Sequence, residues 1–162
     1  MASQIHPLYT PEERIRRDRS KWTLVQGILA PVQFVIFLVS LYFVIRFLIT
    51  GQGEFAANVS IVIKTLILYT IMITGSIWEK EVFGKYLFAP AFYWEAVFSM
   101  LVLALHTAYL IALTFGLLEP RALMALALSA YLAYVINAAQ FLWKLRQARL
   151  QESSQRTEQV MA

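Results

Sequence analysis

Four stretches of this chain stay apolar for longer than a soluble core element needs: residues 22–48, 59–77, 96–118 and 122–143. Few polar positions interrupt them. The first holds Gln26, Gln33 and Arg46, the second Lys64, the third His106, and the fourth Asn137 and Gln140. A helix crosses a bilayer with about 20 residues at a rise of about 1.5 Å each, and all four segments reach that length. The strict alternation of barrel strands is absent, and lipid offers no partner to an open backbone. The pattern therefore predicts an all-α integral membrane four-helix bundle. Its domain plan is a basic N-tail (1–21), one membrane domain (22–143) with an interfacial aromatic segment (78–95), and a C-tail (144–162).

The polar positions share faces. Gln26, Gln33 and Ser40 recur every seven residues. Thr70 and Thr74 are four apart, on a stripe that reaches Glu81 if the helix continues. Glu95 and His106, eleven apart, share a face roughly 16 Å apart along the axis. Ala125, Ser129 and Ala133 form a small-residue stripe that Asn137 and Gln140 extend. Polar groups are costly in hydrocarbon, so they mark faces turned toward other helices or a cavity. Gln26, Gln33, Asn137 and Gln140 serve as interhelical hydrogen-bonding groups on one reading. On the other, they line a polar pocket at one end of the bundle, with His106 at its floor.

Charge sets the expected orientation. Arg14, Arg16, Arg17, Arg19 and Lys21 precede the first span, Lys80 and Lys85 follow the second, and Lys144, Arg146, Arg149 and Arg156 follow the fourth. The other two connections carry only Arg121. Four spans bring all the basic segments to one side, which the positive-inside rule makes cytoplasmic, with both termini there. Arg46 and Lys64 then fall toward the outer ends of their helices, where long side chains are expected to snorkel to the interface.

Composition agrees. The chain is 59% hydrophobic and 15% charged, against about 45–50% and about 25% in soluble domains. The net charge of +4 sits in the tails with no nucleic-acid-binding module around it, so no nucleic-acid partner is expected. The absence of cysteine removes disulfides, thiolate metal sites and a thiol nucleophile. The polar first 21 residues and the long first apolar run do not fit a cleavable signal peptide.

The 78–95 connection, WEKEVFGKYLFAPAFYWE, sets seven aromatic residues beside Glu79, Lys80, Glu81, Lys85 and Glu95. An interfacial aromatic belt explains its Trp and Tyr residues. A flat ligand stacking on Trp78, Tyr93 and Trp94 explains the phenylalanines and carboxylates as well.

Two long strings, PLYTPEERIRRDRSKWTLVQGILAPVQF (7–34) and LYTIMITGSIWEKEVFGKYLFAPAFYWEAVFSMLVLALHTAYL (68–110), together with VINAAQFLWKLR near the end, resemble the vinyl-bacteriochlorophyllide hydratases of bacteriochlorophyll synthesis. The resemblance covers nearly the whole chain. It implies a hydro-lyase of a bacterial cytoplasmic or photosynthetic membrane that adds water to the C3-vinyl group of chlorophyllide a or 3-vinyl bacteriochlorophyllide. The product is the 3-(1-hydroxyethyl) pigment. It implies no cofactor, since the substrate carries its own magnesium. A homo-oligomer, or contact with other pigment-synthesis enzymes, is a further expected partnership.

Hydrating a vinyl group near neutral pH takes a proton donor, a positioned water and a negative field for the cation that forms. A carboxyl in an apolar setting keeps its proton more readily than one in water. Glu95 is the first candidate, beside Trp94 and on the face of His106; Glu79 stands alongside it, because a helix start favours the anion at Glu95. Solvated interfacial carboxylates paired with lysine are the plain alternative. His106 is a candidate proton relay or axial ligand to the substrate's magnesium, and a satisfied buried histidine otherwise. Lys80 and Lys85 are candidates for the pigment's free propionate; Glu81, Gln33, Asn137 and Gln140 complete the expected binding set. No protein-bound metal is expected. A non-catalytic pigment carrier would need the same aromatic surface. A small four-helix transporter fits less well, lacking a glutamate inside the first span.

Overall fold

The computed structural model describes residues 7–161; residues 1–6 and 162 of the predicted tails lie outside the described residues. It is all-helical: α1 (Pro11–Arg19), α2 (Lys21–Thr50), α3 (Glu54–Phe83), a 3-10 turn (Pro90–Phe92), α4 (Tyr93–Phe115) and α5 (Pro120–Met161). The last four helices are each long and apolar enough to cross a membrane, the architecture of a multi-pass membrane protein. Their outward faces carry large exposed apolar side chains such as Leu38, Phe55, Ile73 and Leu132.

Helix ends follow local chemistry. Thr10 caps α1 in a capping box: its hydroxyl accepts from the Glu13 N–H, and the Glu13 carboxylate accepts from the Thr10 N–H. Ser20 closes α1 through its backbone N–H and opens α2 through its hydroxyl, so one residue makes the corner between them. Gly84 ends α3 at φ 84°, a left-handed conformation that costs glycine little.

Helix α2 packs on α3 and α4 on α5, and the two hairpins close into a bundle through α2–α5 and α3–α4. The core runs down the axis through Phe37, Val44, Ile61, Val102, Met124 and Tyr131. Gly75 lets α2 approach α3: a Cβ there would lie 3.2 Å from Gln26 Oε1. Helix α1 lies across the end of the bundle where α2 begins and α3 ends. Arg16 Nε donates to Val82 O at 2.9 Å, Arg17 pairs with Glu152 at 2.9 Å, and Tyr9 stacks on Phe83.

The structure corrects several sequence expectations. Helix α3 runs to Phe83, so Trp78 and the charged residues 79–81 are helical, and the interfacial connection shrinks to about Gly84–Phe92. The 144–162 tail is helical through Met161, so α5 has 42 residues. Ala125 and Ser129 point outward; the buried face of α5 runs instead through Ala127, Ala130, Tyr134 and Asn137. Lys64 does not snorkel. It is 0% exposed, and its Nζ lies 2.9 Å from His106 Nε2 and 4.0 Å from the Tyr134 ring centroid. Spacing placed Lys64 near an outer end, but α4 and α5 offer an imidazole and two aromatic faces within reach of its stem, whereas the lipid side offers neither.

Candidate functional site at the α1-covered end

The polar groups sort into two layers. The inner layer is closed. His106 Nδ1 lies 2.8 Å from the Val102 carbonyl and must donate to it, since a carbonyl only accepts. Its Nε2 faces Lys64. Ser40 bonds Ser60 at 2.9 Å and also the Tyr131 hydroxyl. Both ring nitrogens of His106 are therefore engaged, and the side chain is sealed among helices. The geometry does not bring it to a ligand's magnesium.

The outer layer lies at the end beneath α1 and is open. An open groove of about 640 Å³ has an apolar wall of Pro7, Leu8, Phe83, Pro90 and Ala91. Its charged residues are Glu13, Lys85 and Lys144. One helical turn before Phe83, Glu79 is buried, 7% exposed; its only hydrogen-bond contact among the described residues is a long one, 3.5 Å, from the Ala89 N–H. Among the described residues no cation lies within ion-pair distance of Glu79. Around it Trp78, Phe83 and Phe92 meet edge to face, with ring centroids 5.7–5.8 Å apart. Trp78 Nε1 donates to Thr23 Oγ1 at 2.8 Å, which fixes the indole against α2. The preceding residue of the connection, Phe88, holds φ 58°, strained for a side chain of this size.

Glu95 is equally buried but paired: Lys144 Nζ donates to its Oε2 at 2.9 Å while lying 5.4 Å from the Phe92 centroid. Asn137 Nδ2 donates to the Glu95 carbonyl at 3.0 Å and to Gln140 Oε1 at 3.2 Å. Ser99 joins the same carbonyl and Asn137 Oδ1. Asn137 and Gln140 thus orient the start of α4 against α5.

Other sequence candidates lie apart. Glu81 is exposed and accepts from the Ser20 hydroxyl at 2.7 Å, tying the α1–α2 corner to α3. Lys80 donates to Gly84 O and lies over Tyr86, away from the groove. Tyr93 and Trp94 face outward, Trp94 being 71% exposed, as an aromatic belt would be. Gln33 is buried between helices, and its Nε2 finds no partner among the described residues. Of the candidates, Glu79, Glu95, Trp78, Lys85, Asn137 and Gln140 gather around the open layer. Lys144 was missed, and Phe83 and Phe92 were counted in the aromatic connection but not among the named binding residues. The signal for Lys144 was present: it continues the face of Asn137 and Gln140, seven and four residues on.

The four-helix protein thus carries two buried carboxyls, Glu79 and Glu95, at the end of the bundle that holds an apolar, lysine-edged groove. The chain belongs to the 2-vinyl bacteriochlorophyllide hydratase (BCHF) family, whose model matches residues 9–147. It is 67% identical over 149 residues to the 2-vinyl bacteriochlorophyllide hydratase of Rhodobacter capsulatus, covering 91% of this chain and 86% of the relative. To that of Cereibacter sphaeroides it is 65% identical over 144 residues, 88% and 89% of the two chains. No solved structure matches the chain.

Proposed function

We propose that this protein hydrates the ring vinyl group of a bacteriochlorophyllide precursor, chlorophyllide a or 3-vinyl bacteriochlorophyllide, giving the 1-hydroxyethyl pigment. The vinyl group is 2-vinyl in the relatives' name and C3-vinyl in the systematic numbering of the macrocycle. The observation that carries the mechanism is Glu79: a buried carboxyl with no cation in ion-pair distance among the described residues, on the same helix as Trp78 and one turn before the groove-lining Phe83.

The pigment lies along the apolar wall of the groove, on the side the basic residues assign to the cytoplasm, with its vinyl edge toward Glu79. The carboxyl of Glu79 gives its proton to the terminal vinyl carbon. The inner carbon becomes a cation delocalised into the macrocycle, and the new carboxylate and the ring faces of Trp78 and Phe92 supply the negative field. Water attacks the inner carbon and forms the C–O bond. A carboxylate takes the water's surplus proton, so one water is consumed and no net proton. Glu95, which pairs with Lys144 before the pigment is seated, is the base, and Asn137 keeps its backbone in place. Lys85, at the groove's rim, holds the pigment's propionate.

The test is turnover in membranes or detergent, followed by the blue shift that accompanies loss of the conjugated vinyl group. Wild type converts the pigment, and Glu79→Gln slows conversion by about 10²-fold or more, the usual contribution of a positioned acid. Full activity in Glu79→Gln removes Glu79 from the role. A wild-type protein that binds pigment without changing its spectrum makes the chain a carrier.

A further inference from the structure

Lys144 stands at a crossing of two roles. Its ammonium bonds Glu95 at 2.9 Å, yet the same side chain lines the open groove and is 28% exposed. Lys85 lines the groove as well and is exposed, and among the described residues it makes no ion pair. Glu13, the remaining charged residue there, spends a carboxylate oxygen on the Thr10 N–H. The empty groove thus offers one free ammonium and one that is shared with an internal carboxylate. A ligand bringing a single carboxylate would bridge Lys85 and Lys144, and would compete with Glu95 for the second.

We infer that Lys144 is a carboxylate-reading switch. In the empty protein it neutralises Glu95, and on binding it turns to the free carboxylate of the pigment and releases Glu95. The inference rests on the proposed reaction and assigns a specificity-determining residue to it. Charge explains why the exchange is possible. Seating the ligand moves one ammonium from Glu95 to the incoming carboxylate, so Glu95 gives up its cation, and the second ammonium, Lys85, offsets the cost of breaking that pair. The Phe92 ring, 5.4 Å from Lys144 Nζ, offers the ammonium a face that does not depend on which carboxylate it bonds. The consequence is a groove that admits the free acid and rejects its ester. Glu95 becomes available to accept a proton only once an acid-bearing pigment is seated.

The experiment compares binding of the pigment's free acid and its methyl ester to the full-length detergent-solubilised protein, by pigment fluorescence. Binding is read without turnover, so its result stands apart from that of the hydration assay. Wild type binds the acid about tenfold or more tighter than the ester, the scale of one hydrogen bond to a charged group. Lys144→Gln and Lys85→Gln each lower that ratio. Glu95→Gln moves it the other way: with the competitor removed, the acid binds several-fold tighter and the ester as before, while hydration slows. Equal wild-type binding of acid and ester overturns the inference. So does a Glu95→Gln protein that binds the acid no better than wild type, since a purely structural Lys144–Glu95 pair predicts no gain. The ester comparison and Glu95→Gln decide the matter even if Lys144→Gln fails to fold.

Discussion

The closed layer around Lys64 and the open layer around Glu79 use similar materials to opposite ends. Each holds a buried ionisable group from α3 and another from α4, in a part of the bundle rich in aromatic rings. In the closed layer Lys64 meets His106, Tyr131 meets Ser40, and His106 also satisfies a backbone carbonyl. Each of these side chains has a partner, and none of them lines the groove. In the open layer, among the described residues, Glu79 has only a distant amide, Lys85 has no carboxylate, and Lys144 both pairs with Glu95 and lines the groove. Buried polar groups that are fully paired hold helices in register. Groups left unpaired beside a groove keep their capacity for a ligand. On this contrast, His106, which expectation placed at the floor of the site, has both ring nitrogens engaged within the bundle, and the proposed chemistry is assigned to the layer above it.

The sharpest way to break the contrast is to exchange the consequences. Glu79→Gln should abolish most hydration, about 10²-fold or more in kcat, while thermal unfolding in detergent moves little. A large stability loss with activity per folded molecule intact would reverse the assignment. Lys64→Met should do the opposite: about 1–3 kcal/mol of stability lost, because His106 is left with an unpaired buried nitrogen, and near-normal turnover in the molecules that remain folded. Thermal denaturation beside a single-turnover assay reads both. Tyr131→Phe removes one hydroxyl from the same closed layer and should cost about 1 kcal/mol, with no change in pigment binding. Thr23→Val removes the acceptor that fixes Trp78; a few-fold rise in KM is the expected result, because the indole loses its orientation while its ring area stays. Smallest of all, Glu81→Gln loosens an exposed contact with Ser20 and should leave activity within twofold, a size typical of solvent-screened charges. A strong effect there would extend the site toward the α1–α2 corner.

The number of spans was legible because a hydrocarbon solvent imposes a long-wavelength pattern that no soluble helix needs. The shared faces of Gln33 with Ser40 and of Glu95 with His106 were legible too, since helical periodicity fixes them before any packing occurs. The stripe through Ala125 and Ser129 was misjudged because an alanine-rich helix has almost no contrast between faces, and the large neighbours Met124, Tyr131 and Tyr134 decide its rotation. The ends of the helices were misjudged where charged residues continue a helix past the apolar run, as at Trp78–Phe83 and beyond Trp143.

By itself the sequence determined a four-span helical protein and the family to which it belongs. It also drew attention to the short stretch of carboxylates and aromatics where the proposed chemistry sits. Only the tertiary structure decided which ionisable groups are spent on one another. Pairing depends on the distances between different helices, and a one-dimensional pattern holds none of them. Thus Lys64 turned inward to His106, Glu95 acquired Lys144 from 49 residues away, and Glu79 was left under the groove with its carboxyl uncommitted.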